Sequence, residues 1–421
     1  MESTPSRPPS HGQPAESRVA AGAPGGHRPP PEAAVSPPPP APSPDWVKPS
    51  EAIAERRFLS ECWIRAWAET LPPGGRWKGP LETLLTRDTE GEVSAVLPLA
   101  TVRLGPGLGI RALAGPRQPF RGLVARQRDF ATAMEELGSQ IVDDPRWSAL
   151  RFSSVDGGDI ALDTLVTYLK LRGWLSHQRF LYLTLATPLP DSLDALHAQL
   201  GKRREKRFRH KESRLRREGP YEIRIHRDLE ASAWLRVIEG LAEIERHSWL
   251  VKLGGETQFQ SEAGRRFWQR VLSDPETRGC WGVFVLFFQG RPACYCLTAD
   301  MGGTRYSIYN HYDDAFRPLS LGSIVDHDVF RDAIERGMKK IDFGHGDSGY
   351  KQQSLGASPD GSLRDVVVAA PTGRGRALFA ASMGWSLVDD WRKARQAMAA
   401  RQAEDTRHAE DARHAENEPE T

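Results

Sequence analysis

The chain of 421 residues lacks the features that would place it at once in a membrane, secreted or nucleic-acid-binding class. It has only four cysteines, which excludes a disulfide-stapled scaffold and is typical of a reducing compartment. It has no run of about 18 uncharged apolar residues and no apolar signal-peptide core, so we expect no membrane span and a cytoplasmic location. The formal net charge of +2 predicts no general attraction to nucleic acid or membrane.

Two of the cysteines, Cys294 and Cys296, stand two residues apart in "ACYCLTA". No second pair is present to complete a zinc site, so no metal is expected here. In a strand both side chains would point to one face, and we predict that they are small buried hydrophobic residues.

Both ends of the chain lack the composition of a packed domain. Residues 1–48 hold close to half of the 32 prolines and almost no large apolar residue, which predicts a disordered, partly polyproline-II leader. Residues 373–421 are predicted to form a C-terminal helix and a low-complexity tail. That helix is placed at Met383–Arg401, with an apolar face made of Trp385, Leu387, Val388 and Trp391.

The remaining chain divides into two segments, 49–187 and 188–372, in which helices and apolar strands follow in a similar order. In the first segment the glycine string "LGPGLGI" stands between two strands, which favours a hairpin over a phosphate loop. In the second segment "IVDHDVFRDAIERG" has apolar residues at helical spacing and predicts a helix. The order of elements indicates a mixed α/β fold.

The stretch "FRPLSLGS" connects a strand to that helix. Backbone N–H groups at a helix start are unpaired, Arg317 adds positive charge and Gly322 allows close approach, so an anion such as a pyrophosphate would fit. The alternative is that Ser320 or Ser323 is only an N-cap. This stretch alone favours the N-cap, whereas the order of elements around it favours the anion site.

The next strand, "KKIDFG", runs into "HGDSGYKQQ", a glycine-rich turn that carries chemically active side chains. His345 and Asp347 are only two ligand types in a loop, so we interpret them as solvated polar residues rather than metal ligands. The sequence contains no G-x-S-x-G elbow and no cysteine placed with a histidine, so a covalent enzyme intermediate is not indicated.

The stretch from His311 to Gly356 resembles the acetyltransferases associated with bacterial cellulose and exopolysaccharide biosynthesis, which have the GNAT fold. Seven residues match the pattern of that group: Gly337, Asp342, Phe343, Gly344, Gly346, Tyr350 and Lys351. The resemblance is specific over residues 190–370 and faint over 50–187. It extends distantly to the Fem-type aminoacyl transferases.

This resemblance implies tandem GNAT-like domains, each with a mostly antiparallel splayed sheet flanked by helices. It implies that acetyl-CoA, or another acyl-CoA, is the cosubstrate and lies where the fourth and fifth strands separate. Five residues would contact its pyrophosphate: Arg317, Ser320, Leu321, Gly322 and Ser323. The implied acceptor is an amine or hydroxyl of a saccharide or cell-surface polysaccharide precursor. "RPLSLG" has fewer glycines than the usual GNAT loop.

Direct acyl transfer needs a base for the acceptor, a stabilised oxyanion and an acid for the departing thiolate. The resemblance assigns the acid to Tyr350 and gives Lys351 the role of orienting the acceptor or stabilising charge. For the base, His311 at the end of a strand is the first choice. Asp342, which alternates with apolar neighbours in its strand, is the second.

Residues 202–217 hold ten lysines and arginines against two glutamates. We predict a basic helix at 200–218 that could contact an anionic membrane, RNA or an acidic glycan, which would add peripheral membrane contact to the cytoplasmic location. The helix also leaves two alternatives to acyl-CoA chemistry open. One is a Fem-type aminoacyl-tRNA-dependent transferase, and the other is a non-catalytic scaffold of a polysaccharide or membrane assembly.

Overall fold

The computed structural model describes residues 46–47, 60–70, 77–105, 108–115, 121–248, 251, 257–346, 349–388, 390–391, 395 and 398. Nearly all of the predicted leader, the charged tail and Asp347 lie outside the described residues.

Helices and strands alternate along the chain in the predicted order. The helices are α1 (Glu61–Glu69), α2 (Phe130–Asp143), α3 (Ile160–Leu171), α4 (Leu193–Leu200), α5 (Lys202–Glu218), α6 (Ala231–Arg246), α7 (Glu262–Leu272), α8 (Leu321–Glu335), α9 (Tyr350–Leu355) and α10 (373–388). The strands are β1 (Trp77–Arg87), β2 (Val93–Gly105), β3 (Leu108–Leu113), β4 (Val124–Ala125), β5 (Ala149–Asp156), β6 (Leu175–Pro188), β7 (Tyr221–His226), β8 (Trp281–Phe288), β9 (Arg291–Met301), β10 (Thr304–Tyr312), β11 (Lys340–His345) and β12 (Ser358–Ala369).

The described strands lie in one sheet with the order β1-β2-β3-β5-β12-β6-β11-β10-β9-β8-β7, and β4 pairs with β2. Neighbouring strands are antiparallel, except that β3 is parallel to β5 and β10 is parallel to β11. Each parallel pair is connected through a helix, α2 or α8, as parallel pairing requires. The fold is therefore mixed α/β, with a large, mostly antiparallel open sheet flanked by helices, which confirms the predicted fold class.

The last strand of each predicted half lies beside strands of the other half. β6 pairs with β11, where Thr187 is opposite Ile341. β12 pairs with β5, from Leu363 opposite Asp156 to the end of the strand, and it also pairs with β6. The predicted boundary at 187/188 falls within the end of β6, and the division into two domains stays a prediction.

Apolar side chains at the predicted spacing form the core. In α6, Trp234, Ile238 and Leu241 recur every three or four residues and are fully buried. β8 and β9 are buried almost throughout, because helices cover both faces of this part of the sheet. Cys294 and Cys296 are buried free thiols within this core, as predicted.

The C-terminal helix differs from its prediction, since α10 begins at residue 373, ten residues earlier. Three of the four predicted apolar-face residues are exposed: Leu387, Val388 and Trp391. Ser382 and Ser386 are buried instead, because small side chains let the helix lie close to its neighbours. Trp385 lies under the guanidinium of Arg151, 4.3 Å from its ring centre. The predicted apolar face is therefore wrong.

The predicted basic helix is confirmed as α5, and it is separated from α4 by Gly201 with a φ of 90°. That positive φ suits glycine and turns the chain between the two helices. None of the described helices is both long and apolar enough to cross a membrane.

Candidate functional site

The parallel strands β10 and β11 pair only over Thr304–Tyr306 and Lys340–Asp342. Beyond this pairing β10 continues along β9, while β11 ends at His345. Gly344 and Gly346 turn the chain there with φ values of 68° and 75°, which other residues rarely adopt. The two strands therefore separate beside the start of α8.

The stretch predicted as an anion-binding loop is helical for most of its length. Asp314–Leu319 form a 3-10 helix, and α8 begins at Leu321, three residues earlier than predicted. Between them Ser320 adopts a left-handed conformation, with φ 56° and ψ 40°. Ser320 is the N-cap residue of α8 by position, but its side chain makes no cap hydrogen bond to the described residues of that helix. The Ser323 N–H donates to the Ser320 carbonyl at 3.0 Å, so it is the N–H groups before Ser323 in this turn that can meet another acceptor.

The other predicted phosphate contacts differ in what they can offer. Arg317 is exposed, whereas Leu321 is buried in the core and offers only its backbone. Gly322 has open space where a Cβ would stand, so a ligand can approach its backbone closely. Ser323 Oγ accepts a hydrogen bond from Nζ of Lys211, a residue of α5, at 2.8 Å. The contact of these residues with a phosphate stays a prediction.

A groove with an empty volume of about 660 Å³, part of it open to solvent, lies between α4, α5, α8 and α9. Four polar residues meet at one end of it: Lys211 of α5, Ser323 and Asp326 of α8, and Tyr350 of α9. Three helices therefore contribute polar groups to one position beside the separated strands.

The hydroxyl of Tyr350 donates a hydrogen bond to Oδ2 of Asp326. Burial raises the pKa of the Asp326 carboxyl to about 6, although Tyr350 and Lys211 act in the opposite direction. Burial, followed by the charge of Asp326, raises the pKa of Tyr350 well above its ordinary value. At neutral pH the phenol is thus protonated beside a buried carboxylate, and such perturbed pairs in a groove are typical of functional sites.

Asp326 was missed by the sequence reasoning. It follows Val325 directly and precedes Phe330 by one helical turn, so it lies within the buried stripe of α8. An acid in such a stripe costs stability unless it has a partner or a function. This interruption of an apolar pattern is the signal that could have found it.

Lys211 brings positive charge from α5 into the groove. Burial, followed by the nearby charge of Arg207, lowers the pKa of its ammonium, while Asp326 opposes this effect. A cation that has lost part of its water shell attracts an anion more strongly than one on an open surface. Arg204 and Arg207 also line the groove, which gives one of its sides a positive character.

α5 is fixed over α8 and α9 by three kinds of contact. One is the Lys211–Ser323 hydrogen bond. In another, the ring of Phe208 stacks on His327 with 3.9 Å between centres. In the third, the Arg204 guanidinium donates to the backbone carbonyls of 352 and 353 at 3.0 and 2.7 Å. The basic helix is therefore a wall of the groove and not only a charged surface.

Lys351 points away from its neighbour Tyr350. Its Nζ donates hydrogen bonds to the backbone carbonyls of Phe343 and His345, at 2.6 and 2.9 Å. These carbonyls lie at the end of β11, so Lys351 fixes the position where the strand ends. Its side chain is not among those that line the groove, and its predicted role toward an acceptor stays a prediction.

The two predicted bases, His311 and Asp342, are buried outside the groove lining. Nδ1 of His311 lies 3.4 Å from Ser248 Oγ, and Nε2 lies 3.8 Å from Glu245 Oε1. Burial lowers the pKa of His311 to about 4, so its imidazole is neutral at pH 7. The Asp342 carboxylate accepts the Gly344 N–H at 2.6 Å, and burial raises its pKa to about 6. One of the four predicted catalytic residues thus lines the groove.

Residues 202–352 match the family model described as Acetyltransferase (GNAT) domain. The match runs from α5 into α9 and includes Lys211, Asp326 and Tyr350. At this general level it supports acyl transfer. No curated protein matches the chain.

Similar solved structures include FemX, which is 14% identical with a TM-score of 0.50 and covers 76% of this chain and 93% of that chain. A second is the C-terminal DUF2156 domain of a proposed lysylphosphatidylglycerol synthetase from Agrobacterium fabrum, with 13% identity, a TM-score of 0.46, and 76% and 90% coverage. A third is a tandem GNAT protein from the clavulanic acid biosynthesis pathway, with 12% identity, a TM-score of 0.37, and 74% and 88% coverage. The likeness to FemX concerns the fold alone.

Proposed function

We propose that the chain is an acyl-CoA-dependent acyltransferase that moves the acyl group directly from a thioester to an amine or hydroxyl. The observation that carries this proposal is the meeting of the Tyr350 hydroxyl and the Lys211 ammonium in one groove at the start of α8. The match of residues 202–352 to an acetyltransferase domain supports it. The resemblance of residues 311–356 supports a saccharide or polysaccharide precursor as the acceptor class.

The residues of the groove fit an acyl-CoA. Lys211 and Arg207 provide positive charge, Gly322 leaves space for close approach, and the first turn of α8 provides N–H groups, all of which suit phosphates. Bound acyl-CoA would supply a thioester carbonyl carbon, to which the acceptor atom bonds as the C–S bond breaks.

Tyr350 holds the proton that the departing sulfur takes. Its raised pKa keeps the phenol protonated at neutral pH, and Asp326 holds the O–H in one orientation, which makes Asp326 a positioning residue. Loss of this proton leaves two anions side by side, so Tyr350 regains a proton from solvent before the next turnover. His311 and Asp342 stay predictions for the residue that takes the acceptor's proton.

Isothermal titration with CoA and acetyl-CoA tests the cosubstrate. We expect saturable binding, and no binding at millimolar ligand would contradict the proposal. Tyr350→Phe should lower turnover by about 10²–10⁴-fold while CoA affinity stays nearly unchanged. Tyr168→Phe, in α3 and outside the groove, is the matched control and should change neither. Full turnover in Tyr350→Phe would remove Tyr350 from the acid role.

The exposed face of α5 favours a second candidate, an aminoacyl-tRNA-dependent transferase. Six of its cations have no carboxylate partner among the described residues: Lys202, Arg203, Lys206, Arg207, Arg214 and Arg217. Such a surface would bind tRNA with an affinity that falls steeply as salt rises. Salt-dependent tRNA binding together with absent CoA binding would favour this candidate over the first.

A further inference from the structure

The groove changes in character along its length. Its polar end is formed by the four residues around Tyr350 and Asp326. The remaining lining contains five apolar side chains, Leu196, Leu200, Phe208, Phe330 and Leu355, and six polar or charged ones, His197, Arg204, Glu205, Arg207, His327 and Ser354. The five apolar residues belong to one apolar cluster, and three of them, Leu196, Phe330 and Leu355, are buried. A ligand that reaches this end meets hydrocarbon from α4, α5, α8 and α9 beside these polar groups.

The contacts between helices fix the direction of this change. From Ser323 to Phe330, α8 advances seven residues, which is about 10 Å. α5 runs against it, since Lys211 contacts Ser323 at the polar end and Phe208 stacks on His327 one turn further on. The apolar end therefore begins about one to two helical turns beyond the Tyr350 hydroxyl.

An acetyl group has a single methyl group to bury, which would leave the apolar end of the groove without an occupant. His327, which also lines the groove, is no obstacle to hydrocarbon, because burial lowers its pKa to about 4 and leaves it neutral.

We propose that the groove binds an acyl chain longer than acetyl, so that the preferred donor is a medium- or long-chain acyl-CoA. The proposal rests on the acyl-CoA-dependent function and names the substrate class of the same site. The thioester would lie near Tyr350, and the chain would extend toward Leu196 and Leu355. The site thus recognises an amphiphilic anion.

A series of acyl-CoAs from acetyl through butanoyl and octanoyl to lauroyl tests this with wild-type protein. Affinity should rise by about fourfold per added methylene until the groove is filled, since each buried methylene contributes that factor. Equal affinity for CoA, acetyl-CoA and octanoyl-CoA would overturn the chain-length inference and leave the acyltransferase function standing. Absence of binding for every member would instead contradict the acyltransferase function itself.

Ser354→Phe, which places a ring in the groove lining on α9, tests the location of the chain. It should reduce the preference for octanoyl-CoA over acetyl-CoA by at least tenfold. Gln352→Phe is the matched control, because Gln352 is exposed on the same helix outside the lining. Equal chain-length profiles in the two variants would overturn the assignment.

Hydrogen exchange decides the matter if Ser354→Phe does not fold. In wild-type protein, octanoyl-CoA should slow backbone exchange in α4 and α9 more than CoA does. Equal protection by the two ligands would count against a chain in the groove.

Discussion

Both predicted halves of the sheet contain a parallel strand pair bridged by a helix, and the pair in the second half lies beside a groove. In the first half, β3 and β5 pair over two positions, and the chain then fills the place beyond them. Arg121 bridges to Val155 of β5, and β4 pairs with β2. In the second half, β10 and β11 separate beside a groove with polar side chains.

The helices that bridge the two strand pairs also differ in the polarity of the residues that they bury. α2 buries only apolar and small residues, and the Tyr168 ring of α3 packs against its Gly138. The Tyr168 hydroxyl lies 2.7 Å from Ser139 Oγ, which is a hydroxyl and not a carboxylate. In α8, by contrast, Asp326 is buried and accepts a hydrogen bond from a tyrosine of the following helix. The same framework is packed for stability in one half and keeps costly polar groups in the other.

The largest effect on stability should come from removing the ion pairs that connect β12 to β5 and β6. Asp365 of β12 is buried and pairs with Arg151 of β5, whose Nε lies 3.0 Å from Oδ1, and with Arg179 of β6. Asp365→Ala leaves the buried Arg151 without its carboxylate, while Arg179 keeps Asp390, and should lower the unfolding free energy by about 3–5 kcal/mol. Asp360→Ala, in the same strand with the exposed partner Lys340, should cost less than about 1 kcal/mol. Urea titrations with equal losses would refute this difference.

A smaller effect, with a pH signature, is expected from removing the buried acid of α8. Because the pKa of Asp326 is raised from 3.8 to about 6 in the folded protein, stability falls as pH rises through this interval. Asp326→Asn removes that loss and should raise the unfolding free energy at pH 8 by up to about 3 kcal/mol. Near pH 4 the difference should vanish.

Asp143→Asn, at an exposed position of α2, is the control for that measurement and should leave the pH profile of stability unchanged. An Asp326→Asn variant that is less stable than wild type at pH 8 would show that the carboxylate is not a cost to the fold.

The smallest effects are expected from substituting alanine for one glycine in each bridging helix. A Cβ at Gly138 of α2 would lie 2.3 Å from the Tyr168 ring, so Gly138→Ala should cost about 1–3 kcal/mol. A Cβ at Gly322 of α8 meets nothing within 4 Å, so Gly322→Ala should stabilise the fold by about 0.5–1 kcal/mol. It should also weaken CoA binding, because the methyl group occupies the space for a phosphate. Thermal melts and CoA titration measure both, and tighter CoA binding would contradict this reading.

Local patterns predicted most elements correctly because periodicity and turn residues act over a few positions. The "FFQGRP" hairpin between β8 and β9 forms at Gln289 and Gly290, both with positive φ. The places of Asp326, Lys211 and Lys351 could not be predicted in the same way. Each depends on a contact with residues of another element, such as the Phe343 carbonyl that Lys351 reaches. The misplaced face of α10 has the same cause, since burial there depends on neighbours distant in sequence.

Because β12 pairs with β5 of the other half, the sheet is completed late during synthesis. β5 is complete at Asp156, but its partner β12 is complete only at Ala369. At a synthesis rate of about 5–20 residues per second, the nascent chain waits about 10–40 s with this edge of β5 unpaired. Unpaired strand edges invite pairing with other chains. The central strands of this sheet are thus the last to gain all of their pairing partners during synthesis. We expect that slow translation, or loss of the C-terminal strand, leads to aggregation before it affects catalysis.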